Sequence, residues 1–370
     1  MKILLLADSN SSHTIKWATS LAEKDFEIII FSFTENVTDI YKKYKSIIIV
    51  SAGIPKIKQF NTELHFSKVI YFSAIPAVKR IIKKYKPDIL HAHYASSYGL
   101  LGALTSFHPY IISVYGSDVF SFPRKNKSAS FIIKFNLSKA DKILTTSNIM
   151  AKEVEKYTSK NIEVTPFGID INKFKPMVVD KPFSNKCIVI GTIKALEKIY
   201  GIDLLLITFK NLKDKFFDVP LKLLIVGKGT QENNLKKLSN ELKINKDTTF
   251  TGYVNPEDIP KYHNMIDIFV SLSIEEGFGV AVLEASACAK AVVVSNVGGL
   301  LEVVENNKTG FVVETENPDA ATLAIEKLIF DEKLRRQFGI NGRKRVEEFY
   351  NWNDNLNQIS KIYKSILNKS

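Results

Sequence analysis

The sequence predicts an α/β chain built from two doubly wound, parallel-sheet domains. Three observations predict it. Short apolar runs alternate with amphipathic helical patterns, a Pro- and Gly-containing stretch interrupts the alternation near the middle, and the alternation then restarts. A length of 370 residues suits two domains.

In the first half the strand candidates are Lys2–Ala7, Glu27–Phe33, Ser46–Val50, Ile89–His93, Tyr110–Val114, Lys142–Thr146 and Ile162–Thr165. They are continuous runs rich in Ile and Val, as strands covered on both faces must be. Helical patterns lie at Thr14–Ala22 and Ser73–Tyr85. The stretch PFGIDINKFKPMVVDKP, 166–182, has no periodicity and marks the junction. Strand candidates resume at Cys187–Thr192, Lys222–Val226, Thr249–Thr251, Ile268–Ser271, Ala291–Ser295 and Phe311–Val313. From Asp319 to Ser370 the pattern is helical throughout. The expected domains are therefore Rossmann-like units over 1–170 and 183–349. Doubly wound sheets bind ligands outside the carboxyl ends of their strands, so the default site of two such domains is the cleft between them.

Composition narrows the class. With 45% apolar and 24% charged residues the chain reads as an ordinary globular protein. Cys187 and Cys288 make neither a disulfide framework nor a zinc spacing, and are expected to be inert buried thiols in a reducing cytoplasm. The run Ile3–Ala7 is too short for a signal peptide, and no apolar run approaches the ~20 residues of a membrane span. The expected location is cytoplasmic, either free or peripheral on the inner face of the plasma membrane. Residues 1–175 hold 25 Lys+Arg against 14 Asp+Glu, a balance of +11, while residues 176–370 hold 26 against 25. An anionic partner is expected to meet the first half: anionic lipid, a phosphate-bearing acceptor or nucleic acid. The segment Ala77–Lys86 has an apolar stripe of Val78, Ile81, Ile82 and Tyr85 amid Lys79, Arg80, Lys83, Lys84 and Lys86. It is either an ordinary surface helix or a membrane-facing patch, the latter strengthened by Lys42, Lys43, Lys45, Lys56 and Lys58. Recognised nucleic-acid motifs are absent, and nucleic acid is not expected as a partner.

The densest chemical signal runs from Ser271 to Gly299. A strand ends near Ser273, and Glu275-Glu276-Gly277-Phe278-Gly279 opens a helix, Val280–Ala289. Free amides at a glycine-opened helix start suit a phosphate. Glu276 and Glu284 are separated by seven residues, and carboxylates beside a phosphate site suit the hydroxyls of a ribose or a sugar. A second turn, Asn296-Val297-Gly298-Gly299, follows the next strand and faces the same region.

The run EGFGVAVLE, 276–284, resembles the signature of the family 4 glycosyltransferases, retaining enzymes of the GT-B fold. VGKG at 226–229 resembles the family's nucleotide-side turn, and FTGYV at 250–254 the segment that meets the base. DILHAHY at 88–94 and PFGIDINKF at 166–174 match the acceptor-domain and hinge patterns. FYNWNDNLNQISKIY at 349–363 is similar to the helix that crosses back to the first domain, over about 350–370. The resemblance implies a nucleoside diphosphate sugar as donor, UDP- or GDP-linked, and a glycan or lipid-linked acceptor. It implies that the amides of Gly277, Phe278 and Gly279 hold the diphosphate, with Gly227 and Tyr253 on the nucleotide side. It further implies that Glu284 binds the ribose and Glu276 the transferred sugar. Lys198 matches the family's diphosphate lysine. Thr192 stands where the family has an Arg, and Lys194 is either its substitute or a solvated lysine. No Asp-x-Asp pair occurs, so no metal or other cofactor is expected.

In the first domain His91 and His93 close one strand. His91 is expected to be structural, while His93 and Tyr94 are expected to reach the cleft. Asp118 is either an acid that orients a sugar or a helix N-cap. Tyr115 stands where many relatives have a His, and Asp8 to His13 replaces their Gly-rich loop with Ser and Asn. The expected function is retaining glycosyl transfer. A nucleotide-sugar epimerase, a phosphorylase or a non-catalytic nucleotide-sugar-binding protein on the same fold is the alternative.

Overall fold

The computed structural model describes residues 1–53, 66–184 and 186–368, with 66–71 as backbone alone. The chain divides into two compact units, Met1–Thr165 with Leu356–Ser370, and Pro166–Asn355.

The first unit is built on seven parallel strands: β1 (Lys2–Leu6), β2 (Glu27–Ser32), β3 (Ile47–Ser51), β4 (Ile89–His93), β5 (Tyr110–Val114), β6 (Lys142–Thr145) and β7 (Ile162–Val164). Their order in the sheet is β3-β2-β1-β4-β5-β6-β7. Its helices are α1 (Ser12–Ala22), α2 (Phe66–Tyr85), α3 (Ser97–Ala103), α4 (Ser117–Phe120), α5 (Lys127–Lys139) and α6 (Asn148–Val154). The sheet is covered on both faces, which is why Ile3–Leu6 of β1 are apolar without alternation and β4 is buried along its whole length, its two histidines included. Val78, Ile81, Leu101, Ile133 and Leu137 seal one face of the core.

The second unit holds six parallel strands: β8 (Ile188–Ile193), β9 (Leu221–Val226), β10 (Thr248–Phe250), β11 (Ile268–Ser271), β12 (Ala291–Ser295) and β13 (Gly310–Val313). Their order is β10-β9-β8-β11-β12-β13. The helices are α7 (Ile202–Lys215), α8 (Glu232–Glu241), α9 (Ile259–Met265), α10 (Val280–Ala287), α11 (Leu300–Val303), α12 (Pro318–Phe330) and α13 (Glu332–Phe349). Its core joins Leu205, Phe209, Leu223, Val270, Val293 and Ile325.

Every strand anticipated from the sequence forms, with ends moved by a residue or two. The stretch expected to be helical throughout is helical, as three successive helices. Asp331 caps α13 by accepting from Leu334 N, and Tyr350-Asn351 separates α13 from α14 (Trp352–Leu367). From Leu356 onward α14 belongs to the first unit, where Tyr363 is buried with its hydroxyl 2.7 Å from His91 Nδ1.

Both sheets reverse strand order once: at β1/β4 in the first unit and at β8/β11 in the second. Loops leaving the two strands at such a point diverge and open a crevice. This positions the loops after β8 and β11, which carry Lys194, Lys198 and Glu276. In the first unit it positions the loops after β1 and β4, which carry Asp8–His13 and Tyr94.

Candidate functional site

In the second unit, loops at the carboxyl edge of the sheet stack main chain on main chain. Gly298 has φ +48°, and a Cβ there would lie 1.9 Å from the Glu276 carbonyl oxygen. Gly299 N donates to that same carbonyl at 3.0 Å. The turn after β12 thus rests on the loop after β11. Gly227, φ +132°, brings the loop after β9 equally close to Lys194, where a Cβ would meet the carbonyl oxygen at 2.0 Å. Gly227 N donates to Gly252 O, and Lys194 N to Val226 O. Ile274 N donates to Ile199 O, which fixes the Glu276 loop beside the Lys198 turn.

This packing sets the charged groups. Lys194 Nζ forms an ion pair with Glu276 and lies 4.4 Å from the centroid of the Tyr200 ring. Ser273 Oγ donates to the same Glu276 oxygen at 3.4 Å. Lys194 therefore holds Glu276 in place, a role neither sequence reading gave it. Lys198 is exposed at the start of a short 3-10 turn and pairs with no acid among the described residues. Thr192 is buried inside β8, so its hydroxyl does no work at the rim.

Gly279, φ +105°, caps α10, whose first amides lack intrahelical partners. The Phe278 side chain is buried against Phe167 and Tyr350, so this residue offers only its main chain. Glu284 lies in the second turn of α10, 20% exposed, with His263 Nε2 at 3.3 Å. His263, on α9, is fully buried between Phe174 and Phe269. Its Nδ1 has no partner, so Nε2 is the ring atom that meets Glu284. Tyr253 is exposed, with Lys228 Nζ 5.3 Å from its ring centroid.

The first unit corrects two expectations. His93 does not project from its strand end: it is 3% exposed, its ring edge-on to His91 and Tyr115. Burial, with His13 nearby, lowers its pKa to about 3, so the ring is neutral. Tyr94 does project, 38% exposed and strained at φ +74°. Asp118 is not the N-cap of α4, which is Gly116, and it is buried rather than set at the surface. Its buried carboxylate accepts from the amides of Ala95 at 2.7 Å, Gly116 at 2.8 Å and Tyr115 at 3.3 Å. Those donors occupy it with tying the β4 and β5 loops together. His91 is structural as expected, its Nε2 2.8 Å from Ser113 Oγ. In the loop after β1, Asn10 is spent on Glu35 O and Val37 N, which leaves it holding two loops together. Cys288 is buried, and burial pushes its thiol up to about 12.

Comparison with known proteins matches this chain along nearly its whole length. The model described as "Glycosyl transferases group 1" matches residues 177–345, and "Glycosyl transferase 4-like" matches residues 2–147. A Staphylococcus aureus capsular polysaccharide biosynthesis glycosyltransferase, CapM, is 30% identical over 89% of this chain and 92% of its own length. The chain belongs to the family 4-like glycosyltransferases. A GDP-mannose-dependent phosphatidylinositol monomannoside mannosyltransferase of Mycobacterium tuberculosis is 29% identical over 52% of this chain and 53% of its own length. Among solved structures, Thermosynechococcus elongatus sucrose-phosphate synthase superposes with a TM-score of 0.84 at 21% identity, covering both chains completely. Anabaena HepE, solved with UDP and glucose, has a TM-score of 0.80 at 17% identity and covers 99% of this chain and 100% of its own. The fold of this glycosyltransferase is accordingly GT-B.

Two tests follow from the geometry of this enzyme. Gly298→Ala puts a methyl into a backbone oxygen at positive φ. It should destabilise the protein by about 2–4 kcal/mol in urea denaturation. A change within error would show that the loops are free to separate. The second concerns acid. His93 stays neutral in the folded chain down to about 3, whereas its ordinary value is 6.5. Between those values the unfolded chain binds more protons, so this stability is complete above pH 6.5 and is lost as pH falls. Stability of His93→Gln should fall less steeply with acid than that of the wild type. Equal slopes would mean that the ring is free to take its proton.

Proposed function

We propose that the enzyme transfers a sugar, with retention of anomeric configuration, from a nucleoside diphosphate sugar to a hydroxyl of a glycan or lipid-linked acceptor. The observation that carries the reading is the pair Glu276 and Glu284 on either side of a glycine-capped helix start, each held by a partner, with Lys198 unpaired beside them. The amides of Gly277 to Gly279 and the start of α10 would face the diphosphate. Charge grows on that group as the glycosidic bond breaks, and fixed amides with a cation stabilise it most at that moment. Lys198 is the cation available, since Lys194 is committed to Glu276. Glu284, aimed by His263, would take the ribose hydroxyls, and Glu276 would take hydroxyls of the transferred sugar. Gly227 and the exposed Tyr253 would border the nucleotide. In a retaining reaction of this kind the leaving phosphate oxygen takes the proton of the acceptor hydroxyl on the face it vacates.

The names of the relatives agree with this chemistry and leave the base open. HepE was solved with UDP and with UDP-glucose, while the mycobacterial relative is GDP-mannose-dependent. The Staphylococcus aureus relative is named for capsular polysaccharide biosynthesis and the mycobacterial one for a phosphatidylinositol monomannoside, which supports a role in cell-surface polysaccharide or glycolipid synthesis. We assign the acceptor to the domain of residues 1–170, where Tyr94 projects from the strand edge, and the donor to residues 183–349. An anionic membrane surface is the natural source of a lipid-linked acceptor.

Turnover with a matched donor and acceptor tests the reading. Glu284→Ala and Lys198→Ala should each lose about 10²–10³-fold in kcat with the fold intact by circular dichroism. The product's anomeric coupling in NMR should match that of the donor. Unchanged turnover in both variants, or an inverted anomer, would contradict the assignment.

A further inference from the structure

Two helices of the first unit share an unusual surface. α2 packs on α3 and α3 packs on α5, so the three lie side by side on one face of the sheet. The middle helix is largely buried, which leaves α2 and α5 to form the exterior. From residue 66 to residue 140 the sequence has eleven Lys or Arg and two acids. Asp118 is buried; Asp88 is exposed but stands at the amino end of β4, where it accepts from Lys2 N, and of the cations Arg124 is paired with Glu153. On α2, Lys79, Arg80, Lys83 and Lys84 are exposed. On α5 and its approach, Lys125, Lys127 and Lys134 are exposed.

Within this cationic field two phenyl rings face water. Phe72 on α2 is 55% exposed and Phe131 on α5 is 70% exposed. Each lies in the first two turns of a helix whose start is at the carboxyl edge of the sheet, so they stand at a similar level. Ile132 and Phe135 are half-buried beside Phe131. A phenyl ring has no polar atom to justify its exposure, and lysines keep their ammonium groups at a headgroup level while an apolar ring goes deeper. The geometry points to an anionic lipid bilayer as the partner of the α2–α5 face, with Phe72 and Phe131 entering the acyl boundary and the lysines meeting the headgroups. Base-stacking platforms for single-stranded nucleic acid present aromatics in a groove that tracks the backbone. These two rings project from the outsides of separate helices, which favours the bilayer. Lys42, Lys43 and Lys45 lie beside α1 and are not part of this face, while Lys56 and Lys58 lie outside the described residues. No helix among the described residues is long and apolar enough to cross a membrane, so contact would be with the surface. The inference stands on this surface alone, and only its use, delivery of a lipid-linked acceptor, rests on the proposed function.

Cosedimentation of the full chain with vesicles of phosphatidylcholine, with and without phosphatidylglycerol, tests it. The wild type should pellet with the anionic vesicles and stay in solution with the neutral ones. Lys83→Gln and Lys84→Gln should each weaken vesicle affinity about five-fold, the value of one cation near an anionic surface. Phe72→Ser with Phe131→Ser should weaken it further while leaving salt dependence and thermal melting unchanged. Turnover on a water-soluble acceptor should be unaltered in all four substitutions, which separates failure of this inference from failure of the proposed reaction. The inference is overturned if the wild type ignores anionic vesicles, if the phenylalanine variants bind as the wild type does, or if a single-stranded oligonucleotide displaces the vesicles.

Discussion

Where the turn after β12 meets the loop after β11, Gly298 lies against the Glu276 carbonyl with no room for a side-chain carbon. The contact matters because each of these loops leaves the sheet at a different strand. Main-chain packing of this kind makes position independent of side-chain rotamers, and it leaves the nearby amides aimed outward. Gly227 does the same for the loop after β9 by resting on Lys194. Two pairs of loops are thereby fixed, and Ile274 N donating to Ile199 O joins one pair to the other before any ligand is considered. A site meant to stabilise developing charge needs that fixity, since donors that must reorganise lose much of their effect.

On this rigid rim the two acids are handled in different ways. Glu276 is neutralised by Lys194 and touched by Ser273, which sets its carboxylate at the edge of the loop. Glu284 leans on the fully buried imidazole of His263. Both supports come from behind the rim and leave the outward carboxylate oxygens to other partners. The first unit uses its own buried polar groups to the same end. Asp118 gathers three amides from two loops, and His91 joins the strand edge to Tyr363 of the last helix.

The strands were legible because a sheet covered on both faces requires continuous Ile, Val and Leu runs, and Ile3–Leu6, Ile28–Ile30 and Val292–Val294 form the centres of β1, β2 and β12. The Glu276–Glu284 spacing was legible because both acids and the glycines between them lie in one short segment. His263 was not: it reaches Glu284 from another helix, and its own surroundings, KYHNM, carry no chemical pattern. The Lys194 partnership depends on β8 and β11 being neighbours in the sheet, which no spacing in the sequence records. Asp118 was ambiguous because a helix start offers an acid both solvent and amides, and only the fold shows three amides converging on it. The α5 surface was hidden for a related reason. The run KSASFIIKF reads as an ordinary half-apolar helix until the packing shows that Phe131 is the residue left outside.

The account's central claim is that this rim of stacked loops holds a nucleoside diphosphate. Calorimetric titration of the purified chain with UDP and with GDP addresses it most directly, repeated on Glu284→Ala. The account predicts saturable binding of one of the two, weakened about ten-fold or more by the substitution. Absence of binding to both, or binding indifferent to Glu284, would contradict it.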